Sequence, residues 1–223
     1  MAQQPDSSQL LRGLLTAPTE RQDLDCKASK ALVLGDEFAF KLVKHILGFA
    51  NAGGGYLLIG YKETPSGPVP DPDHREEICS TYDGTRLSGL VDANIERGND
   101  PIRLTVHLPV NEITGLRHPV IEIEPFPHLP YVCRGAKPER EPILKQGMVY
   151  IRRFRAETSE VCTAADWELL IDQCINRRRE EFVTAFTDLF QRMTKRQASP
   201  APDASTLNEW TTKARARAMA DSN

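Results

Sequence analysis

Acids and a lysine alternate in Glu20-Arg21-Gln22-Asp23-Leu24-Asp25-Cys26-Lys27, and another acid, Glu63, follows the apolar run Tyr56-Leu57-Leu58-Ile59-Gly60-Tyr61. Carboxylates grouped in space suit hard divalent ions such as Mg²⁺ or Mn²⁺, which take oxygen ligands. Such an ion polarises a phosphate and makes a hydroxide from bound water, while a nearby lysine stabilises the charge that develops in the transition state. If residues 23–28 form a strand, Asp23, Asp25 and Lys27 share one face, and Leu24 and Cys26 share the other. Glu20 stands just before that strand, and Glu63 stands just past the end of the next. Neighbouring strands would bring Glu20, Asp25, Lys27 and Glu63 to one place. The same spacing also describes the wet face of an amphipathic strand with a loop acid nearby, and residue types alone leave both readings open.

The elements that must position these groups are legible. Asp36 begins a strong helix whose apolar positions Phe40, Val43, Leu47 and Ala50 recur at helical spacing. Asn51 and then Gly53, Gly54 and Gly55 end it as a structural turn, since these residues tolerate left-handed geometry. The amides of such a turn can also meet a phosphate, but no Gly-Lys-Ser/Thr follows, so it is not a P-loop. Residues 56–61 are almost all apolar, the mark of a central strand covered on both faces. Ser7 or Ser8 caps a short helix that Pro18 stops. Residues 64–83 read as a loop, 85–96 as a helix, and 102–110, 119–125 and 147–155 as strands. A long helix is expected from Thr163 to about Lys195, with a Phe182/Phe186/Leu189 stripe. Residues 197–205 are a Pro/Ala/Ser linker, and 207–219 a weak helix or disorder. The sum is an α+β fold, a mixed sheet flanked by helices and carrying a long C-terminal helix.

The chain has 223 residues, 40% hydrophobic and 26% charged, and reads as a soluble globular protein. No apolar run is long enough to cross a bilayer, and no secretory signal is visible at the N-terminus, so no membrane partner is expected. The five cysteines are scattered, without a Cys-x-x-Cys pair, which points to free thiols in a reducing, cytoplasmic setting and away from zinc. The net charge of −3 does not advertise a nucleic-acid binder. Lys145, Arg152, Arg153 and Arg155 nevertheless form one basic cluster, and Arg177, Arg178 and Arg179 a second. Either can be a phosphate-binding face or ordinary solvated surface. His45 reads as a packing residue of its helix, and His107, His118 and His128 show no ligand spacing.

Taken together, the segment 20–27 and the segment Phe49-Ala50-Asn51-Ala52-Gly53-Gly54-Gly55 with its following strand resemble the AlbA_2 domain of the Schlafen family. That family's pattern is an acid, four residues and Glu-Phe-Lys, then Phe-Ala-Asn-Gly-Gly before an apolar strand. The closing run Val149-Tyr150-Ile151-Arg152-Arg153-Phe154-Arg155 is similar to the family's last strand. In Schlafen members that cleave RNA, three acids form a metal site. The resemblance therefore implies Mg²⁺ or Mn²⁺ on Glu20, Asp25 and Glu63, with Lys27 assisting and Lys145, Arg152, Arg153 and Arg155 lining a groove. Asp25 stands where the family has Glu, Glu63 where it usually has Asp, and Cys26 where it has an aromatic residue. The domains implied are an N-terminal helical arm at 1–14, an AlbA_2-like domain at 15–162, the long helix at 163–196 and a tail at 197–223. Schlafen cores resemble two such lobes around an RNA stem, so a one-lobed chain is expected to form a homodimer.

Three functions compete at this level. One is a metal-dependent endoribonuclease acting on structured RNA such as tRNA, with RNA preferred to DNA. The second is a non-catalytic module that binds nucleic acid or a nucleotide, with the acids serving structure. The third is an interaction domain that recruits a protein partner through its C-terminal helix.

Overall fold

Helix α2, Glu37–Ala52, is set at both ends by the residues that flank it in the computed structural model, which describes residues 7–96, 100–135, 143–153 and 157–197. Asp36 accepts a hydrogen bond from the Ala39 amide at 2.7 Å, and Gly53 closes the helix at φ 112° with its amide on Phe49 O. The chain then reverses through Gly54, at φ 90°, where a Cβ would stand 2.7 Å from Ile123 O. Only glycine fits both the angle and the space. Strand β2, Gly55–Ile59, follows directly.

Strand β1, Leu24–Lys27, lies parallel to β2, so that β1, α2 and β2 form a crossover unit. Strand β3, Tyr61–Thr64, continues from β2 after Gly60 and pairs with β4, Gly67–Pro70. The expected loop at 64–83 therefore holds a strand, and then a turn of 3₁₀ helix at Glu76–Thr81. Short β-turn chemistry around Ser66 and Gly67 hid a hairpin whose second strand carries Pro68 and Pro70. Helix α3, Gly84–Asp92, precedes β5, Leu104–His107, and β6, Val120–Ile123. The main sheet runs β1-β2-β6-β5, mixed in direction, and so bears out the α+β reading. A separate pair, β7 at Tyr150–Arg152 and β8 at Thr158–Glu160, packs on α2. Strand β8 follows too closely on β7 for three-residue runs to show as two periods.

One face of the sheet offers Leu57, Ile59, Ile121 and Ile123 to Leu42, Val43, Ile46 and Leu47 of α2. The other offers Leu24, Cys26, Leu58 and Val120 to Leu11, Leu14 and Leu15 of helix α1, Ser7–Thr16. Each leucine so buried contributes about 1.5–3 kcal/mol. The first helix is thus part of the core and not an arm, because its three leucines cover a sheet face that would otherwise be wet.

Helix α4, Ala164–Gln197, is as long as expected, but the chain divides within it, into Met1–Arg177 and Arg178–Asn223. Leu170 belongs to the core of the first unit, which carries that unit past the expected boundary at 162. The linker and tail beyond Gln197, Arg155, and the side chain of Leu189 lie outside the described residues. Among the described residues, no helix is long and apolar enough to cross a membrane.

Candidate functional site

The site lies on β1, an edge strand of the main sheet. Arg21 and Leu24 exchange backbone hydrogen bonds at 3.0 and 3.2 Å, which folds the chain back just before the strand. That reversal sets Glu20 along the open edge, where its Oε1 accepts the Cys26 amide at 3.1 Å. A donor that would otherwise lack a sheet partner is thereby satisfied.

Asp25 and Lys27 point to the α2 face, opposite Leu24 and Cys26. Asp25 is only 2% exposed, and its Oδ2 lies 2.7 Å from Lys27 Nζ, 3.4 Å from Arg152 Nη1 and 3.5 Å from His45 Nδ1. Asp25 Oδ2 and Arg152 Nη1 are held by charge at these distances, since neither completes a hydrogen bond of good geometry with a described residue. Burial pushes the Asp25 carboxyl up, but Lys27, Arg152 and His45 outweigh it and hold it below the ordinary carboxylate range.

Arg152, expected in a groove, is fully buried. Its Nη2 donates to Leu24 O at 3.1 Å, its Nε to Arg21 O at 3.4 Å, and its guanidinium lies 4.5 Å over the Phe49 ring. It fastens β7 to the turn that aims Glu20, and it has no surface to offer a phosphate. The groove reading is corrected for this residue, because a period-two strand with three arginines does not reveal which one faces the core. Lys145 pairs with Glu160 at 2.7 Å, Arg153 pairs with Asp166 at 2.8 Å, and Arg155 lies outside the described residues.

Two groups that sequence reasoning left aside complete the site. His45 Nδ1 is 3.2 Å from Thr158 Oγ1. Burial first, then the charges of Lys27, Arg152 and Lys44, drive the His45 pKa down to about 4, so its ring is neutral near pH 7. Lys44 stands on the same turn of α2, with its ammonium 5.3 Å from the Tyr150 ring. The signal for His45 was its place in the helix next to Ile46 on the buried side, where a polar ring needs a partner. Nothing in the sequence pointed to Thr158.

The acids meet in part. Burial raises the Glu20 pKa, the hydrogen bond from the Cys26 amide offsets part of this, and the carboxyls of Asp25 and Glu63 raise it further. Glu63 itself is exposed on β3. Among the described residues, no three His, Cys, Asp or Glu side chains stand close enough to hold a metal ion. Asp25 is moreover neutralised by Lys27 and Arg152. The side chains as placed therefore do not fit a bound Mg²⁺ or Mn²⁺. Asn51 is a helix residue whose amide ties three backbone groups: Nδ2 donates to Tyr131 O and to Tyr150 O at 2.9 Å each, and Oδ1 accepts the Tyr131 amide at 2.7 Å. The turn proper is made by Gly53, Gly54 and Gly55, all at positive φ.

No family model matches the chain, and no curated protein matches it. Among solved structures, the DIP2311 protein from Corynebacterium diphtheriae is 16% identical with a TM-score of 0.42, covering 71% of this chain and 27% of its own. The N-terminal domain of a RecG-related protein from Nitrosomonas europaea is 18% identical with a TM-score of 0.38, covering 72% of this chain and 95% of its own. The chain thus spans about a quarter of the first of these proteins (27%). Likenesses of this size bear on neither activity nor partner, which the site itself has to carry.

Proposed function

We propose that the chain is a nucleic-acid-binding domain that takes a backbone phosphate at the mouth above Asp25. The observation behind this reading is the group of cations at the end of β1: Lys27 and Arg152 on Asp25, and Lys44 with them around His45. Asp25 stands among these three cations with Glu20 at the rim, and the Lys27 side chain, 27% exposed, is the cation a phosphate can reach. Phosphate contacts of this kind fix position, read no sequence and weaken with salt. The resemblance of segments 20–27 and 49–61 to Schlafen-type domains supports RNA over DNA.

A second reading is a divalent-metal-dependent endoribonuclease acting on structured RNA such as tRNA. One observation speaks for it: the Asp25 and Glu63 carboxyls both raise the Glu20 pKa, and Lys27 lies on Asp25. The arrangement of Asp25 among its cations speaks for the acids as structural groups, which is why binding is put first.

Labelled tRNA, single-stranded RNA and DNA at low and moderate salt, with and without Mn²⁺, separate the two. Binding is expected to weaken about tenfold or more in Lys27→Glu with Lys44→Glu, to fall steeply with salt, and to survive Glu20→Gln and chelators. Indifference to all three polymers at low salt would sink the proposal. Metal-dependent cutting that is lost in Glu20→Gln, Asp25→Asn and Glu63→Gln would establish the nuclease instead, with urea unfolding curves to show that each variant is folded.

A further inference from the structure

A hydroxyl, an imidazole and an ammonium stand outside the carboxyl ends of β1 and β2. Those two strands are parallel, and Gly60 N donates to Lys27 O at 2.8 Å, which joins their ends. Crossover units of this kind place ligands beyond such ends. Ser29, partly buried and just past β1, has its Oγ 3.0 Å from Nδ1 of His74, a ring 2% exposed. His74 Nε2 lies 2.7 Å from Arg117 O. A carbonyl only accepts, so Nε2 carries the hydrogen. In the neutral ring Nδ1 then holds a lone pair, and the Ser29 hydroxyl donates to it.

The backbone is shaped around this contact. Gly60 stands at φ 94°, and a Cβ there would lie 2.6 Å from His74 Nδ1 and 2.7 Å from His118 Nδ1. Only glycine lets the two stacked rings, 4.0 Å apart, come this close to the chain. Arg117 O is held by a second donor, the Cys79 thiol at 3.4 Å. Asp71 ties the serine to a cation: its Oδ2 accepts the Ser29 amide at 3.0 Å, and its Oδ1 lies 2.9 Å from Lys62 Nζ. The Lys62 side chain is 43% exposed, so a ligand can reach it. A nucleophile bonded to a base, a base oriented by a third group and a cation close by are the parts that covalent catalysis uses.

We propose that Ser29 is a catalytic nucleophile for acyl transfer with His74 as its base, and that its substrate is an ester of a small carboxylic acid. Ser29 Oγ attacks the carbonyl carbon and gives its proton to His74 Nδ1, while the Lys62 ammonium offsets the charge that develops on the carbonyl oxygen. The C–O bond to the alcohol then breaks, and the alcohol leaves with the proton from His74. Water attacks the acyl-serine by the same route and releases the acid. None of these groups belongs to the set around Asp25, so the proposal does not rest on the nucleic-acid reading.

A fluorophosphonate, from which an activated serine displaces fluoride, and p-nitrophenyl acetate test it on the full chain. The fluorophosphonate is expected to add at Ser29, located by peptide mass, and to leave that position unlabelled in Ser29→Ala. Ester hydrolysis above the buffer rate is expected, lost in Ser29→Ala and slowed about 100-fold or more in His74→Gln. Lys62→Met should lower kcat more than it raises KM. Urea midpoints show which variants are folded, and if His74→Gln is not, the label position and Ser29→Ala still decide. A wild type that takes no label at Ser29, or labelling as fast in folded His74→Gln as in the wild type, would overturn the proposal and leave the Ser29–His74 contact as a hydrogen bond that serves the fold.

Discussion

Asp25 and the residues around it show how one buried carboxylate organises an edge strand. An unpaired charge at 2% exposure would cost several kcal/mol, and the answer here is a pair of cations, one from its own strand and one from β7. Arg152 serves as packing surface, cation and donor at once, a combination that lysine could not reproduce. The same crowding fixes how stability depends on pH. His45 and His118 have folded pKa values of about 4, in both cases through burial first, with Lys27 acting next on His45 and His74 on His118. The His118 ring stacks on His74 at 4.0 Å, and its Nδ1 lies 3.1 Å from Ile59 O. Because both values are depressed below the unfolded value near 6.5, the unfolded chain binds protons first as pH falls. Stability should be full above about pH 6.5 and decline toward pH 4, by roughly 3 kcal/mol for each histidine. Asp25, also depressed, should add a further loss only below about pH 4. Urea midpoints at pH 7, 5.5 and 4.5 test this, with a shallower slope expected in His45→Gln. A flat profile would mean that the two rings are not held neutral by burial.

At the scale of elements, α2 is the part on which the rest is hung. Its apolar side covers the sheet, its first turn is capped by Asp36, and its last turn supplies Asn51. The Asn51 amide joins the Tyr131 loop and strand β7 to α2 by three hydrogen bonds in a buried setting. Asn51→Ala should leave one amide and two carbonyls without partners and cost about 3 kcal/mol, read as a lower urea midpoint with an unchanged slope. Asn51→Asp should be at least as damaging, since it keeps the acceptor but replaces a donor with a buried charge. A loss below about 1 kcal/mol would show that water takes over these groups readily. Gly48 reports the same close packing one turn earlier on the same side of the helix, where a Cβ would stand 2.5 Å from Thr158 Cγ2. Helix and β8 approach that nearly because position 48 has no side chain, and the approach is what brings Thr158 to His45.

At the scale of the molecule, the two units have different claims to independence. The cores of the first unit are built from residues up to Leu170, so a chain ending at Arg177 should fold alone and unfold in one transition. Calorimetry on residues 1–177 should give the melting temperature of the full chain's main transition within a few degrees, and a larger loss would show that Arg178 onward supports that core. The sequence by itself determined the helices and the α+β class, because period-3.6 stripes, Asp36 and the glycine run are local signals that need no partner to be read. It also determined which acids lie near β1, since alternation along a strand is local too. Which polar groups are buried was decided only by tertiary structure. Asp25 and Arg152 are 127 positions apart, and their burial follows from β1 and β7 lying against the same helix. Asp25, one of the three acids expected at a metal site, is in the folded chain the buried partner of Lys27 and Arg152, with Glu20 at the rim. The cause is physical: a carboxylate taken out of water accepts the cations that the fold places beside it, and spacing along a chain cannot say which those will be.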